Sequence, residues 1–128
     1  MTSPTVFLAG STELNGGTNW QSELLAVLRA RNVTILNVES ESASAEWELD
    51  CLERADLVAM WFAPETVAPI TLLELGLAAR TDKLVVGCPD GYWRKSNIEV
   101  VCSRFGIPMT RSWTAFVAIV CAKLEHVD

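Results

Sequence analysis

The chain has 128 residues, half of them hydrophobic, and a formal net charge of −6. This length and composition predict one layered domain over residues 1–128. An acidic chain without a basic cluster repels a phosphate backbone, which excludes nucleic acid as a partner, and no segment approaches the ~20 apolar residues that span a bilayer, which excludes a membrane span.

Strand-like and helical patterns alternate through the first half of the chain. An apolar run over 5–9 ends at Gly10-Ser11 and predicts a strand that enters a turn. Thr18 to Gln21 has the form of a capping box, in which a hydroxyl caps the start of a helix. The three elements that follow are a helix over 20–30, a strand over 33–38 and a helix over 45–54.

The second half continues the alternation. Residues 57–62 form an unbroken apolar run, typical of a strand covered on both faces, and 63–69 carries two prolines and predicts a loop. Ser96 to Glu99 has the form of another capping box. The remaining predicted elements are a helix over 71–81, a strand over 84–88, a helix over 96–105, a short strand near Met109 and a helix over 113–124.

Five strands that alternate with five helices predict an α/β fold, because each right-handed crossover lays a helix over a parallel sheet. In a chain this short we expect the three-layer flavodoxin-like fold, with a five-stranded parallel sheet in the order 2-1-3-4-5. Strands 1 and 3 are then neighbours where the winding reverses. Ligands bind at the carboxyl ends of the strands there, which places the predicted site after Gly10 and after residue 62.

The sequence predicts no metal and no cofactor. The four cysteines are widely spaced among apolar neighbours, which favours reduced core thiols, and the one histidine, His126, lies three residues from the end. No G-x-G-x-x-G follows a strand, and no Gly-Lys-Ser/Thr phosphate loop is present. The N-terminus has no basic stretch before its apolar run, so we expect a cytoplasmic protein.

Glu74 is the main candidate for chemistry, and it has two interpretations. In the first, Thr71 to Glu74 is a capping box, and the carboxylate bonds back to the helix start. In the second, the same carboxylate faces the crevice as a nucleophile, kept ionised by the helix terminus. The two roles can coexist.

Acidic and small residues form a second group of candidates. Glu48 and Asp50 are on the helix before strand 3, where charges usually form a solvated face, but a helix beside the crevice can turn one of them inward. Gly10 allows close backbone approach, and Ser11 can donate to a sugar or phosphate oxygen.

The aromatic candidates lie near the predicted mouth of the crevice. Trp61 and Phe62 end strand 3, where a ring can stack on a planar base, and Trp47 is close by on the preceding helix. Packing in the core is the alternative for each of these rings.

At these residues the chain resembles the nucleoside 2-deoxyribosyltransferase-like family over nearly its whole length. The most specific element is Pro-Ile-Thr-Leu-Leu-Glu-Leu-Gly at 69–76. The other matching segments are Val-Phe-Leu-Ala-Gly-Ser at 6–11, Trp47-Glu48, Leu-Glu-Arg-Ala-Asp at 52–56, Trp61-Phe62, Val-Gly-Cys-Pro-Asp-Gly-Tyr-Trp-Arg at 86–94, and Asn97.

The resemblance implies an enzyme that exchanges the base of a deoxynucleoside. Glu74 would attack the anomeric carbon, a free base would leave, and a second base would attack the glycosyl ester with overall retention. Glu48 would contact the base or sugar. Asn97 would contact a sugar hydroxyl, often from a neighbouring subunit, which implies a homo-oligomer. The implied partners are a nucleoside and a free nucleobase.

Two alternatives stay open. Water in place of the second base would make the protein a nucleoside or nucleotide N-glycosidase that uses the same Glu74. Members of the family with demonstrated transfer often carry an Asp six residues before the nucleophile, and Ala68 stands there in this chain. A non-catalytic nucleoside-binding module is therefore the third reading.

Overall fold

Five strands and five helices alternate along the residues that the computed structural model describes, which are 3–10, 19–37 and 44–127. They are β1 (Thr5–Gly10), α1 (Trp20–Leu28), β2 (Thr34–Asn37), α2 (Ala45–Arg54), β3 (Leu57–Trp61), α3 (Pro69–Ala78), β4 (Leu84–Gly87), α4 (Lys95–Phe105), β5 (Met109–Thr110) and α5 (Trp113–Glu125). None of these helices is long and apolar enough to span a bilayer.

The strands form one parallel sheet in the order β2-β1-β3-β4-β5, which confirms the predicted flavodoxin-like topology. β1 and β3 pair side by side, from Val6 opposite Leu57 to Gly10 opposite Trp61. Every residue of β3 is buried, as the unbroken apolar run predicts for a strand with helices on both faces. The reversal of winding therefore falls between β1 and β3.

Two apolar layers cover the sheet. Successive residues of a strand point to opposite faces, so Phe7 packs with α2, α3 and α4, whereas Leu8 packs with α1 and α5. The four cysteines are buried in these layers as free thiols, as predicted. α3, which carries Glu74, lies on the face that α2 and α4 share.

Two of the predicted capping boxes are wrong. α3 begins at Pro69, so Thr71 is the third residue of the helix and cannot cap its start. α4 begins at Lys95, so Ser96 is already inside the helix. Pro lacks the N–H that the first helical position leaves unpaired, which explains why the helix can begin at a residue that we assigned to the loop.

The side-chain caps that do form lie at other helix starts. Asn19 accepts a hydrogen bond from Ser22 N at 3.2 Å, where the sequence placed the box at Thr18, a residue outside the described ranges. Ser44 caps α2 by accepting from Trp47 N at 3.1 Å, and Ser112 caps α5. The capped helices thus present an Asn or Ser to a backbone N–H of their first turn.

A strained turn positions the start of α3. Ala68 is in the left-handed region, at φ 47° and ψ 54°, and is buried. The carbonyl of the preceding Val67 accepts hydrogen bonds from the Tyr92 hydroxyl and from Trp93 Nε1, the latter at 3.0 Å. A left-handed non-glycine residue costs about 1–2 kcal/mol, so the surrounding contacts must hold the turn.

We predict that Ala68→Gly leaves the free energy of unfolding within about 0.5 kcal/mol of the wild type. Glycine relieves the left-handed strain, which offsets the lost methyl group and the added freedom of the unfolded chain. Ala78→Gly is the matched control, because Ala78 is similarly buried but lies within the right-handed helix α3. That variant should lose at least about 1 kcal/mol. Equal losses in denaturant unfolding of the two variants would contradict the strained turn.

Candidate functional site

A cavity of about 110 Å³ lies at the carboxyl end of β1, against α2 and the start of α3. This is the crevice that the strand order predicts. Residues 11–18 and 38–43, which follow β1 and β2, are outside the described ranges, so this volume concerns the described walls alone. The cavity is lined by Phe7, Leu8, Ala9, Gly10, Gln21, Glu48, Ala68, Pro69, Ile70, Thr71 and Glu74.

Glu74 is the most deeply buried acid on the cavity wall. Its side chain is on the second turn of α3, and the residue is only 5% exposed. Within the described ranges its carboxyl group has no ion pair and no hydrogen bond. Burial, and secondarily the charge of Glu48, raise its pKa from 4.5 to about 7.

The expectation that the helix start keeps Glu74 ionised is therefore wrong. Glu74 is the sixth residue of α3, and the favourable field of a helix terminus falls off within the first turn. Desolvation is the larger effect at this position, and it favours the neutral acid.

Glu48 is the second carboxyl group of the cavity. It projects from α2 and is half-buried, and burial raises its pKa as well. No basic side chain lines the described walls, so nothing there offsets the charge of Glu48, which disfavours the ionised form of Glu74. Paired carboxyl groups of this kind suit a reaction that needs an anionic group and a proton donor together.

Gly10 is the third predicted site residue on the cavity wall. Its φ is 150°, and a Cβ there would lie 2.3 Å from the carbonyl oxygen of Trp61, so only glycine fits. β1 and β3 can thus approach closely at the point where the cavity opens. Ser11, the next residue, lies outside the described ranges.

The remaining predicted site residues do not line this cavity. Asp50 and Asn97 are exposed on α2 and α4. Trp47 is half-buried and packs edge-on against Phe7, with ring centroids 6.1 Å apart. Phe62 is fully buried against Tyr92, so its ring offers no face to a ligand.

Trp61 points to the opposite face of the sheet. Its ring packs edge-on against Trp113, with centroids 4.9 Å apart, in the layer of α1 and α5. It lines a separate groove of about 370 Å³ with Trp20 and Trp113. The alternation of side chains along β3 explains this placement, because Trp61 and Phe62 cannot face the same side.

Gln21 and Thr71 also line the cavity, and the sequence analysis did not identify them as site residues. Both are nearly inaccessible to solvent, at 9% and 3% exposure, although each is polar. Both fall in predicted capping boxes, and their place in the chain is a further signal that could have identified them. Each lies in the first turn of a helix that follows β1 or β3, which is where the strand order brings side chains to the crevice.

Comparisons with known proteins identify a family. The family model described as nucleoside 2-deoxyribosyltransferase like matches residues 3–92, more than two thirds of the chain. No curated protein sequence matches. Among solved structures, an NADPH-quinone reductase from P. pentosaceus is similar in 98% of each chain, at 15% identity and a TM-score of 0.47.

We predict that Glu74→Gln gains stability over the wild type as pH rises. A carboxyl group whose pKa is higher in the folded than in the unfolded chain makes the protein less stable as pH rises. The loss occurs between the two pKa values, which for Glu74 are 4.5 and about 7. Across that window the wild type should lose about 3 kcal/mol that the amide variant keeps. Denaturant unfolding at pH 5 and pH 8 measures the difference.

Two further variants sharpen this test. Glu48→Gln should reduce the pH dependence of wild-type stability, because it removes the charge that contributes to the raised pKa of Glu74. Glu46→Gln, exposed on the same helix, should differ from the wild type by a constant amount at both pH values. A Glu74→Gln variant with the same offset at pH 5 and pH 8 would contradict the burial of an ionisable Glu74.

Proposed function

The chain belongs to the nucleoside 2-deoxyribosyltransferase-like family, and from this premise we propose that it transfers the sugar of a deoxynucleoside between bases through a glycosyl ester of Glu74. The observation that carries the proposal is the buried Glu74 carboxyl group beside Glu48 in the crevice between β1 and β3. The substrates are a deoxynucleoside and a free nucleobase, and the reaction needs no cofactor.

In the first half-reaction the Glu74 carboxylate attacks C1′ of the sugar. The bond from C1′ to the base nitrogen breaks, and its electron pair leaves with the base. Glu48, whose pKa burial also raises, is the neighbouring group that can give a proton to the departing base. Positive charge develops on the sugar as the bond breaks, and this charge favours the ionised form of Glu74 in the transition state.

In the second half-reaction a different base attacks C1′ of the ester. The bond from C1′ to the Glu74 oxygen breaks, the carboxylate is restored, and Glu48 takes the proton that the incoming base loses. Two inversions at C1′ retain its configuration. Water in place of the base would give free sugar, which is the N-glycosidase alternative.

The described cavity is small, which favours walls that contact the sugar rather than the whole nucleoside. Pockets that enclose drug-sized ligands are about 300–1,000 Å³, well above the 110 Å³ between the described walls. Gln21 and Thr71 are the neutral hydrogen-bonding side chains on these walls, and we assign them to the sugar hydroxyls.

We predict that Glu74→Ala lowers base exchange at least about a thousandfold, because the covalent step loses its nucleophile. The protein is incubated with a deoxynucleoside and a different free base, and the products are separated by chromatography. Glu46→Ala, an exposed change on α2, should retain activity. Thermal unfolding checks that both variants are folded.

The products of the wild type separate the three readings. Exchanged nucleoside supports the transferase, whereas free base with free sugar supports the N-glycosidase. Binding without any turnover supports the non-catalytic module. A deoxyribosyl adduct on acid-quenched wild type, absent in Glu74→Ala, would identify the ester, and full activity in Glu74→Ala would refute it.

We also predict an acidic limb in the pH profile of kcat/KM. The nucleophile must be ionised, and the pKa of Glu74 is about 7, so kcat/KM should rise with pH below that value, and it should fall at higher pH where Glu48 has lost the proton that it gives to the departing base. Initial rates between pH 5 and pH 9 at low substrate concentration measure this limb. A plateau that extends unchanged to pH 5 would show that no group with this pKa acts in the free enzyme.

A further inference from the structure

The groove of about 370 Å³ beside Trp61 is separate from the Glu74 cavity and lies on the opposite face of the sheet, between α1, the end of β3 and α5. We call it the indole groove. Its described walls are Trp20, Glu23, Trp61, Ala63, Pro64, Glu65 and Trp113. Three indole rings and two carboxylates thus border one opening, and no basic side chain lies on the described walls. The proposed reaction uses none of these residues.

The indole rings give the groove fixed aromatic walls. The ring planes of Trp61 and Trp113 are nearly perpendicular, at 89°, with centroids 4.9 Å apart. A Cβ at Gly87 of β4 would lie 2.2 Å from the Trp61 ring, so this ring can pack there only against a glycine. Trp20 and Trp61 are nearly buried, whereas Trp113 is half-buried and exposes more of its ring. The negative potential of an indole face attracts a cation.

Two exposed carboxylates add negative charge to the same groove. Glu23 projects from α1 and Glu65 from the loop after β3, so the two acids reach the groove from different elements. Among the described residues neither carboxylate has an ion pair or a hydrogen bond. A cation in the groove would therefore meet two carboxylates that no neighbouring side chain neutralises, whereas an anion would be repelled.

The indole N–H of Trp61 is a further polar group of the groove. Trp61 is only 7% exposed, and its N–H donates no hydrogen bond to a described residue. No fully buried side-chain nitrogen or oxygen lacks a partner in the part of the chain that the structure describes, so this nitrogen keeps contact with solvent. The groove is the opening that Trp61 lines. An unpaired donor on a nearly buried side chain favours a ligand that brings an acceptor oxygen.

We propose that the indole groove binds a small organic cation, an alkylated ammonium ion that carries a hydroxyl or carbonyl oxygen. Alkyl groups on the nitrogen suit indole walls, because an alkylated ammonium is less strongly hydrated than a primary one and loses less on leaving water. Glu23 and Glu65 complement its charge, and Trp61 donates to its oxygen. The volume is near the lower end of the roughly 300–1,000 Å³ of ligand pockets, which limits the ligand to a small molecule. The proposed site does not depend on the proposed reaction.

Choline is the probe, because it is a trimethylated ammonium ion with one hydroxyl group. Titration calorimetry and tryptophan fluorescence at constant ionic strength should give a dissociation constant of about 1 mM, an ordinary affinity for a ligand of this size. The uncharged analogue of choline, in which carbon replaces the nitrogen, should bind at least about tenfold more weakly, because it lacks the charge. Equal binding of the two molecules, or no saturation by choline up to about 50 mM, would overturn the proposal.

Variants of the walls place the binding in the groove. Glu65→Gln should raise the dissociation constant for choline about threefold or more, and Trp113→Leu at least about tenfold. Trp113→Phe keeps a ring and should lose less, and this variant and Glu65→Gln test the site even where Trp113→Leu does not fold. Glu46→Gln is the control, because it makes the same change of charge on the other face of the sheet, and it should bind as the wild type does. Equal weakening by Glu46→Gln and Glu65→Gln, or unchanged binding in both Glu65→Gln and Trp113→Phe, would contradict binding in this groove.

Discussion

The burial of an ionisable group beside another of the same sign is the constraint on which the site depends. Glu74 lies almost entirely out of water with no counter-ion or hydrogen-bond donor among the described residues, and Glu48 approaches it from the neighbouring helix. Such an arrangement lowers stability at neutral pH, because the folded state must either bind a proton or bury a charge. Groups that destabilise a fold in this way are found mainly where chemistry needs them.

α3 is the element that combines this constraint with the rest of the molecule. Its inner side contributes Leu75 and Ala78 to the core, its first turns line the cavity, and its outer side is apolar and exposed. A ten-residue helix therefore has two different neighbours, the core and the candidate crevice. The apolar side chains of its inner side pack in the core, and its single carboxyl group lies at the crevice.

The start of α3 is held by contacts that lie far away in the chain. The carbonyl of Val67 accepts hydrogen bonds from the side chains of Tyr92 and Trp93, which lie in the loop after β4. Ala68, which follows Val67, adopts the left-handed conformation. The position of Glu74 thus depends on a turn whose geometry is costly by itself. Backbone strain beside a cavity is common at functional sites, where the surrounding structure over-determines the conformation.

Local patterns were sufficient for the architecture. The alternation of apolar runs with helical spacing predicted each strand and helix, and right-handed crossovers predicted the strand order, because these rules depend on neighbours in the chain and on chirality. They also led to the crevice between β1 and β3, and hence to Gly10, Glu48 and Glu74, which do line one cavity. The functional roles of these three residues remain proposals.

Helix starts, the orientation of Trp61 and the pKa of Glu74 depend on long-range packing, which local sequence patterns do not predict. The predicted capping boxes at Thr71 and Ser96 do not form, because the two helices begin earlier, at Pro69 and Lys95. A proline at the start of α3, and the turn held by Tyr92 and Trp93 before α4, outweigh the preference of a hydroxyl for the cap. Trp61 points away from the cavity because of the register of β3. A shift of one residue in that register would turn its side chain to the other face of the sheet. The pKa of Glu74 was predicted in the wrong direction, because desolvation depends on the atoms packed around the carboxyl group, and the cavity that Glu74 lines is also walled by residues distant in the chain, such as Phe7 and Glu48.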